Sequence, residues 1–257
     1  MISSDLCDRL RSPDLFRAEG RWIVESLLRS SLTVDSLFRQ EGKHHDLKLP
    51  EDIPLWEISA AELSQLAGYQ FHRGILAFGV RPSLQKASVP QGTDQTPWII
   101  CPNLTDASNL GALVRSAAAF SSGPVGLPAT AGADPFSPKA IRASAGTVFH
   151  HPVVQGHDLP SLVKDLKTHG SRIFGTASQP EAIPIQEVLP QPGDVLLFGN
   201  EGSGLSSSWR ELCDATLCIP LASSVESLNV ACSAAIFLHH FSRKQERIPQ
   251  PPSSSDL

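Results

Sequence analysis

Val195-Leu196-Leu197-Phe198-Gly199-Asn200-Glu201-Gly202-Ser203-Gly204-Leu205 decides how this chain is read. An apolar run spanning Val195–Gly199 reads as a strand, and three glycines within the six residues 199–204 follow it. Glycines at that place allow positive φ and let backbone approach a ligand closely. Open α/β sheets bind their ligands in such loops, at the carboxyl ends of parallel strands. The loop is not a dinucleotide fingerprint, because G-x-G-x-x-G is absent, and it is not a P-loop, because no Gly-Lys-Ser/Thr follows. Taken alone it reads equally well as a plain turn.

Outward from this loop the same grammar repeats. Trp98–Cys101, Arg172–Thr176 and Thr216–Ile219 read as further strands, and Asn109–Phe120, Leu159–His169, Ser206–Leu212 and Ser227–Arg243 as helices. Strands alternating with helices predict an α/β fold: a parallel sheet with helices on both faces. Upstream, residues 82–97 (PSLQKASVPQGTDQTP) hold three prolines and no aromatic residue, which marks a linker. Before the linker, Ile23, Leu27 and Leu28 share a helical face, Leu32-Thr33-Val34 is strand-like and Gly74–Val80 reads as a buried strand. The expected organisation is therefore a small α/β domain over 1–82, a linker at 83–97, the main domain over 98–246 and a disordered Pro/Ser tail at 247–257.

A chain of 257 residues with 41% apolar residues can fill a core, and a charged fraction of 18% is too low for a solvated disordered chain. The stretch Val230–Leu238 is about half the roughly 20 residues a membrane helix needs. The start MISSDLCDRLRSPDL has no apolar h-region, which argues against a signal peptide. Cys7, Cys101, Cys213, Cys218 and Cys232 form no C-x-x-C pair, so neither a disulfide framework nor a cysteine zinc site is expected. A cytoplasmic, reduced protein is the expectation. Net charge is −5; residues 1–90 carry 11 basic against 12 acidic groups and the remainder 10 against 14. Neither half is a basic tail, so a nucleic acid bound here must use a small local basic surface.

Two further segments carry polar groups where chemistry could occur. In Asn103-Leu104-Thr105-Asp106-Ala107-Ser108-Asn109-Leu110-Gly111-Ala112-Leu113-Val114-Arg115, a strand end leads into a helix that Asn109 or Ser108 is expected to cap, with Arg115 almost two turns on and on the same side. In Ile219-Pro220-Leu221 through Val225-Glu226-Ser227-Leu228-Asn229-Val230, a strand ends at proline and Ser227 opens a helix of small residues. Each reads alone either as a capped helix or as a ligand site. The pairs His150-His151 and His239-His240 are adjacent, so their side chains diverge and do not form an i, i+4 metal pair. Ser144 lies in Arg-Ala-Ser-Ala-Gly rather than a G-x-S-x-G elbow, and the aromatics form no stacking strip of the RRM type.

Taken jointly and in order, the three segments resemble the motifs of the SpoU/TrmH family, RNA ribose 2′-O-methyltransferases of the SPOUT superfamily. Asn109, Gly111 and Arg115 match N-x-G-x-x-x-R; Gly199–Leu205 matches G-N-E-G-x-G-L; Ile219-Pro220 and Glu226–Val230 match the third motif. Ser137-Pro138-Lys139-Ala140-Ile141-Arg142-Ala143-Ser144-Ala145-Gly146 resembles a fourth, S-x-K-A-x-R-x-S-x-G. Glu19-Gly20 and His72-Arg73-Gly74-Ile75-Leu76-Ala77 are similar to landmarks of the family's ribosomal-protein-like RNA-binding domain. Leu221-Ala222 departs from the Met and polar or Gly residues common there.

The resemblance implies a deep trefoil knot, a homodimer and S-adenosylmethionine as cofactor, with no metal and no membrane. It implies cofactor contacts from Thr176, Gly199, Asn200, Gly202, Ile219, Leu221, Leu228 and Asn229, and RNA contacts from Lys139, Arg142 and Arg73. Arg115, Asn109, Glu201, Ser227 and Asn229 are the implied catalytic set. Because a guanidinium stays charged near neutral pH, Arg115 fits a charge-assisted donor to the ribose–phosphate better than a general base. The implied substrate is RNA, with rRNA favoured over tRNA by the extra N-terminal domain that the resemblance associates with rRNA-directed members. The competing expectations are a catalytically silent RNA-binding or assembly protein on the same fold, and a nucleotide-dependent enzyme of ordinary α/β type, the latter disfavoured by the missing fingerprints.

Overall fold

Two sheets organise the chain. A computed structural model describes residues 4–86, 97–120, 123–130, 132–156, 158–177, 181–200 and 202–242. The expected linker residues 87–96, the tail at 247–257, the helix end at Arg243 and Glu201 all lie outside these residues.

The N-terminal part runs α1 (Ser4–Leu10), β1 (Leu15–Glu19), α2 (Arg21–Leu28), β2 (Val34–Gln40), β3 (Leu55–Ile58), α3 (Ala60–Ala67) and β4 (Ile75–Val80). Its sheet has the order β1-β4-β2-β3, with β4 antiparallel to both β1 and β2 and β3 parallel to β2. The strand expected at Leu32–Val34 in fact begins at Val34 and runs on to Gln40. Ser59 and Glu62 form a reciprocal capping box at the start of α3, and Gly68 ends that helix in the left-handed region.

The remainder runs β5 (Gln85–Lys86), β6 (Trp98–Ile100), α4 (Ala107–Phe120), β7 (Val125–Pro128), α5 (Pro138–Ala143), β8 (Val153–Gly156), α6 (Leu159–Thr168), β9 (Ile173–Thr176), β10 (Ile183–Pro184), β11 (Val195–Leu197), α7 (Ser207–Arg210), β12 (Ala215–Cys218) and α8 (Val230–Phe241). These eight strands pair in the order β10-β12-β9-β11-β6-β7-β8-β5, and every pairing is parallel. Gln85–Lys86, inside the stretch read as a linker, is the edge strand beside β8.

Period-two alternation places the core. Ile99, Phe174 and Leu196 face the layer of α4 and α8, packing with Leu110, Leu113, Val114, Phe237 and Leu238. Their neighbours Trp98, Ile100, Ile173, Val195 and Leu197 face α6, through Leu159, Leu162, Val163 and Leu166. The first of these clusters does not stop at the main sheet. It continues through Phe136 and Phe149 into Phe16, Ile23, Leu27 and Ile75 of the N-terminal part, with Phe16 5.2 Å from Phe136 and 5.4 Å from Phe149 between ring centroids. Among the described residues no helix is long and apolar enough to cross a membrane.

Candidate active site

Three strands of the parallel sheet end at one cleft of about 500 Å³. Thr176 and Ala177 come from the end of β9, Phe198–Asn200 and Gly202–Leu205 from the end of β11, and Ile219 and Leu221 from just past β12; Glu226 to Val230, Ser233 and Phe237 close it from the loop and start of α8. The site thus lies at the carboxyl edge of the central strands, where open α/β sheets present their loops. Phe198, fully buried, meets Phe237 edge-on at 5.9 Å and forms an apolar floor.

The glycine loop is folded back on itself. Asn200 N–H donates to Gly204 O at 3.1 Å and Gly204 N–H returns a bond to Asn200 O at 2.9 Å. A Cβ on Gly199 would stand 2.1 Å from the Gly204 carbonyl carbon, so only glycine permits this closure. Asn200 Oδ1 accepts from Gly202 N–H at 2.9 Å, and Asn200 Nδ2 donates to Asn103 O at 3.2 Å, tying the loop to the segment that follows β6. A second tie joins that segment to the third: Asn229 Nδ2 donates to Asn109 Oδ1 at 2.9 Å. Three stretches far apart in sequence are held together by these two side-chain bonds.

All eight residues expected to contact cofactor (Thr176, Gly199, Asn200, Gly202, Ile219, Leu221, Leu228 and Asn229) line the cleft, as does Ser227. Other placements differ from expectation. The first helix starts at Ala107, and its cap is Asp106, whose Oδ1 accepts from Asn109 N–H at 2.8 Å; neither Ser108 nor Asn109 caps it. Ser227 does not open the last helix: α8 begins at Val230, with Asn229 as its cap through a 2.9 Å bond from Ala231 N–H. Asparagine wins because a helix N-terminus needs a short acceptor one residue before the first turn. Arg115 is not on the same side of α4 as Asn109, since six positions at about 100° per residue leave them about 120° apart. Arg115 is exposed and does not line the cleft. Gly111, the middle residue of its motif, serves packing: a Cβ there would stand 2.2 Å from Ala140 O of α5.

Lys139 is exposed on α5, whereas Arg142 and Arg73 both turn toward the buried carboxylate of Glu19, at 3.0 and 3.7 Å. Val230, Ser233 and Phe237 were missed as lining residues, although their i, i+3, i+7 spacing from the start of α8 marks one helical face. Arg210, which belongs to no motif, and Glu226, which belongs to the third motif but carried no expected role, also line the cleft. Behind the loop, burial pushes the Cys213 thiol up to about 11, with Asp214 adding to it, so this cysteine stays protonated and is no nucleophile near neutral pH.

Residues 97–239 match the SpoU rRNA Methylase family. The chain is 32% identical over 225 residues to the Bacillus subtilis (strain 168) 23S rRNA (guanosine(2553)-2′-O)-methyltransferase RlmP, an alignment covering 88% of this chain and 87% of that protein. The crystal structure of an RNA 2′-O ribose methyltransferase superposes with a TM-score of 0.73 at 26% identity, over 93% of this chain and 91% of the other. The SpoU methyltransferase AviRb from Streptomyces viridochromogenes, solved in complex with AdoMet, superposes with a TM-score of 0.77 at 23% identity, over 94% and 93% of the two chains. With its α/β fold, parallel sheet and ordered motifs, the chain belongs to the SpoU rRNA methylase family, the SpoU/TrmH group of SPOUT RNA methyltransferases.

Proposed function

We propose that this protein transfers a methyl group from S-adenosylmethionine to a ribose 2′-hydroxyl of RNA, with rRNA the favoured substrate. The observation that carries this reading is the meeting of three separated motifs around one cleft, held by Asn200 on Asn103 and Asn229 on Asn109. The rRNA preference rests on the name of the Bacillus subtilis relative and on the N-terminal part that precedes the family match.

The cleft suits the cofactor. Its volume lies in the range of small-molecule sites, and Phe198, Phe237, Leu221 and Leu228 offer apolar surface for an adenine ring. Backbone groups at the folded glycine loop and the polar side chains of Asn200, Ser203 and Glu226 stand at its rim for the ribose and the amino-acid end. Bound there, S-adenosylmethionine would supply an electrophilic methyl on a sulfonium. The residues of the chain must then hold the 2′-hydroxyl in line and favour charge on its oxygen. The Asn229–Asn109 bond brings the N-terminus of α8 beside that of α4, and two positive helix ends at one point favour an anion or a developing alkoxide. Asn229 acts there as a strut, its oxygen capping α8 and its amide holding α4. Arg115 is assigned the charge-assisted donor to the ribose–phosphate, with Ser227 hydrogen-bonding inside the pocket and Glu201 fixing the loop or Arg115.

The cofactor is assigned to 98–246, and 1–82 is assigned to RNA recognition together with Lys139, Arg142 and Arg73. The reading includes a cytoplasmic homodimer with a knotted C-terminal segment and no metal. Support for the dimer comes from exposed residues of two helices packed together and of the loop between β12 and α8: Arg115, Ala118 and Ala119 of α4, Cys232 and Ile236 of α8, and Val225 and Leu228. Arg115 stands on that surface, so the dimer decides whose cleft it serves. Light scattering at micromolar concentration is expected to give the mass of two chains; a monomeric mass with full activity would remove the dimer. Calorimetric titration with S-adenosylmethionine, NAD and ATP tests the cofactor: only the first is expected to bind, and binding of NAD or ATP alone would place the protein in another enzyme class.

A further inference from the structure

Three sequence landmarks that the cleft does not use meet at one point: Glu19-Gly20, Arg73-Gly74 and the α5 residue Arg142. Glu19 ends β1, and its side chain is 1% exposed. Arg17, two residues earlier and so on the same face of the strand, donates from Nε to Glu19 Oε1 at 2.8 Å. Arg17 Nη1 donates to the carbonyls of Leu66 and Ala67 at the end of α3, at 3.0 and 2.7 Å. Glu19 Oε2 accepts from Tyr69 O–H at 2.6 Å and from Arg142 Nη1 at 3.0 Å, and Arg73 Nη1 lies 3.7 Å from the same atom. Burial alone would raise the Glu19 carboxyl; the Tyr69 bond and the charges of Arg17 and Arg142 outweigh it and hold the group below its ordinary value.

One carboxylate therefore faces three guanidiniums. Arg17 neutralises it and spends its donors on α3, which leaves the charges of Arg73 and Arg142 in surplus. A structural ion pair has no need of that surplus, because convergent like charges repel. Both surplus side chains are partly exposed, at 48% and 34%; among the described residues the Arg142 guanidinium makes no hydrogen bond beyond that to Glu19, and the Arg73 guanidinium, 3.7 Å from it, makes none, so donors of both forks remain for a ligand. The stem of Arg73 lies over Gly20, where a Cβ would meet its Cδ at 3.0 Å, and its carbonyl bonds to His44 Nε2 at 2.9 Å. Exposed Lys139 sits one turn before Arg142 on α5, and Lys43 lies beside Gly74. In a chain of net charge −5 this is a local basic surface of the kind a bound nucleic acid needs.

We propose that Arg73 and Arg142 form a clamp for one RNA backbone phosphodiester across the seam between the two sheets, with Glu19 as the positioning residue that aims both guanidiniums. Guanidinium forks match phosphate oxygens in pairs. Arg142 belongs to the helix packed against α4, and Arg73 and Glu19 to the N-terminal sheet, so one phosphate held here registers RNA against both halves of the protein at once. The proposal rests on the reading of the chain as an RNA methyltransferase.

The test measures binding of the full-length protein to unmodified, in vitro transcribed Bacillus subtilis 23S rRNA from about 50 to 200 mM salt, beside S-adenosylmethionine binding by calorimetry. Arg73→Ala removes a surface side chain and is expected to weaken RNA binding roughly tenfold while lowering the slope of log K against log salt by about 0.7–0.9, the loss of one phosphate contact. Arg73→Ala combined with Arg142→Ala is expected to lose little more than either alone, because both serve one phosphate. Glu19→Gln makes the patch more positive, so charge alone predicts tighter binding, whereas loss of aim predicts weaker binding, read at a temperature where circular dichroism shows the variant fully folded; tighter binding would overturn the positioning role of Glu19. Cofactor affinity stays at the wild-type value in all three. A wild-type protein that binds and methylates RNA while Arg73→Ala keeps its affinity and salt slope overturns the clamp and leaves the enzyme reading intact. A wild type that binds with the expected slope but transfers no methyl overturns the enzyme reading and leaves the clamp. A wild type that does not bind this RNA at 50 mM salt overturns the clamp.

Discussion

At the scale of single residues, the proposed chemistry turns on Arg115. A permanently protonated guanidinium stabilises negative charge but does not accept a proton near neutrality. Arg115→Ala is expected to slow methyl transfer by about 10²–10³, the usual cost of removing one donor to a developing oxyanion, roughly 3–4 kcal/mol. Because Arg115 does not line the cleft, S-adenosylmethionine affinity is expected to hold. Arg115→Lys keeps the charge and loses the planar fork, so it is expected to restore little. Single-turnover methyl transfer alongside calorimetry separates the two effects, and near-normal turnover in Arg115→Ala would remove this role. The cleft residues themselves were legible in the sequence because their motifs combine glycines and polar side chains at strand ends. The exclusion of Arg115 from the cleft was not, because it depends on which faces of α4 pack against α5 and α8, a tertiary contact without a local signal.

At the scale of elements, the eleven-residue loop between β12 and α8 ends on a residue doing two things. Asn229 caps α8 and holds α4 through Asn109. Asn229→Ala is expected to lower stability by about 1 kcal/mol for the lost cap and, more tellingly, to weaken cofactor binding, since Leu228 and Val230 on either side line the cleft. Thermal melts and calorimetry check the pair of effects; wild-type cofactor affinity would contradict the strut. The long amphipathic helices and the apolar strands β6, β9 and β11 could be read from periodicity. Elements such as β7 (Val125-Gly126-Leu127-Pro128) and α5 could not, because four to six residues carrying Gly or Pro give too short a pattern. The N-terminal elements β3 and α3 were missed for a related reason: Leu55–Ile58 alternates only once or twice, and the capping box at Ser59 and Glu62 marks α3 better than its apolar residues do.

At the scale of the whole molecule, the two sheets are joined by one continuous apolar cluster and by the Glu19 network, neither of which a linker-and-domains reading of sequence reveals. Joining elements across a seam depends on tertiary contacts, and the isolated Phe16, Phe136 and Phe149 carry no local signal of meeting. The Glu19 carboxyl has its pKa lowered on folding, so its contribution to stability is complete above the ordinary value of 4.5 and is lost as pH falls through the lower folded value. Melting temperatures of wild type and Glu19→Gln are therefore expected to converge as pH falls below about 4.5; a constant gap down to acid pH would contradict the network. The central claim is the chemistry itself. Its most direct measurement incubates the protein with methyl-labelled S-adenosylmethionine and unmodified 23S rRNA transcript, digests the RNA to nucleosides and identifies the labelled species by mass. The expected label is in a 2′-O-methylated nucleoside and forms about 10²–10³ times more slowly with Arg115→Ala; label on a base, or none on RNA with the cofactor bound, would contradict the account.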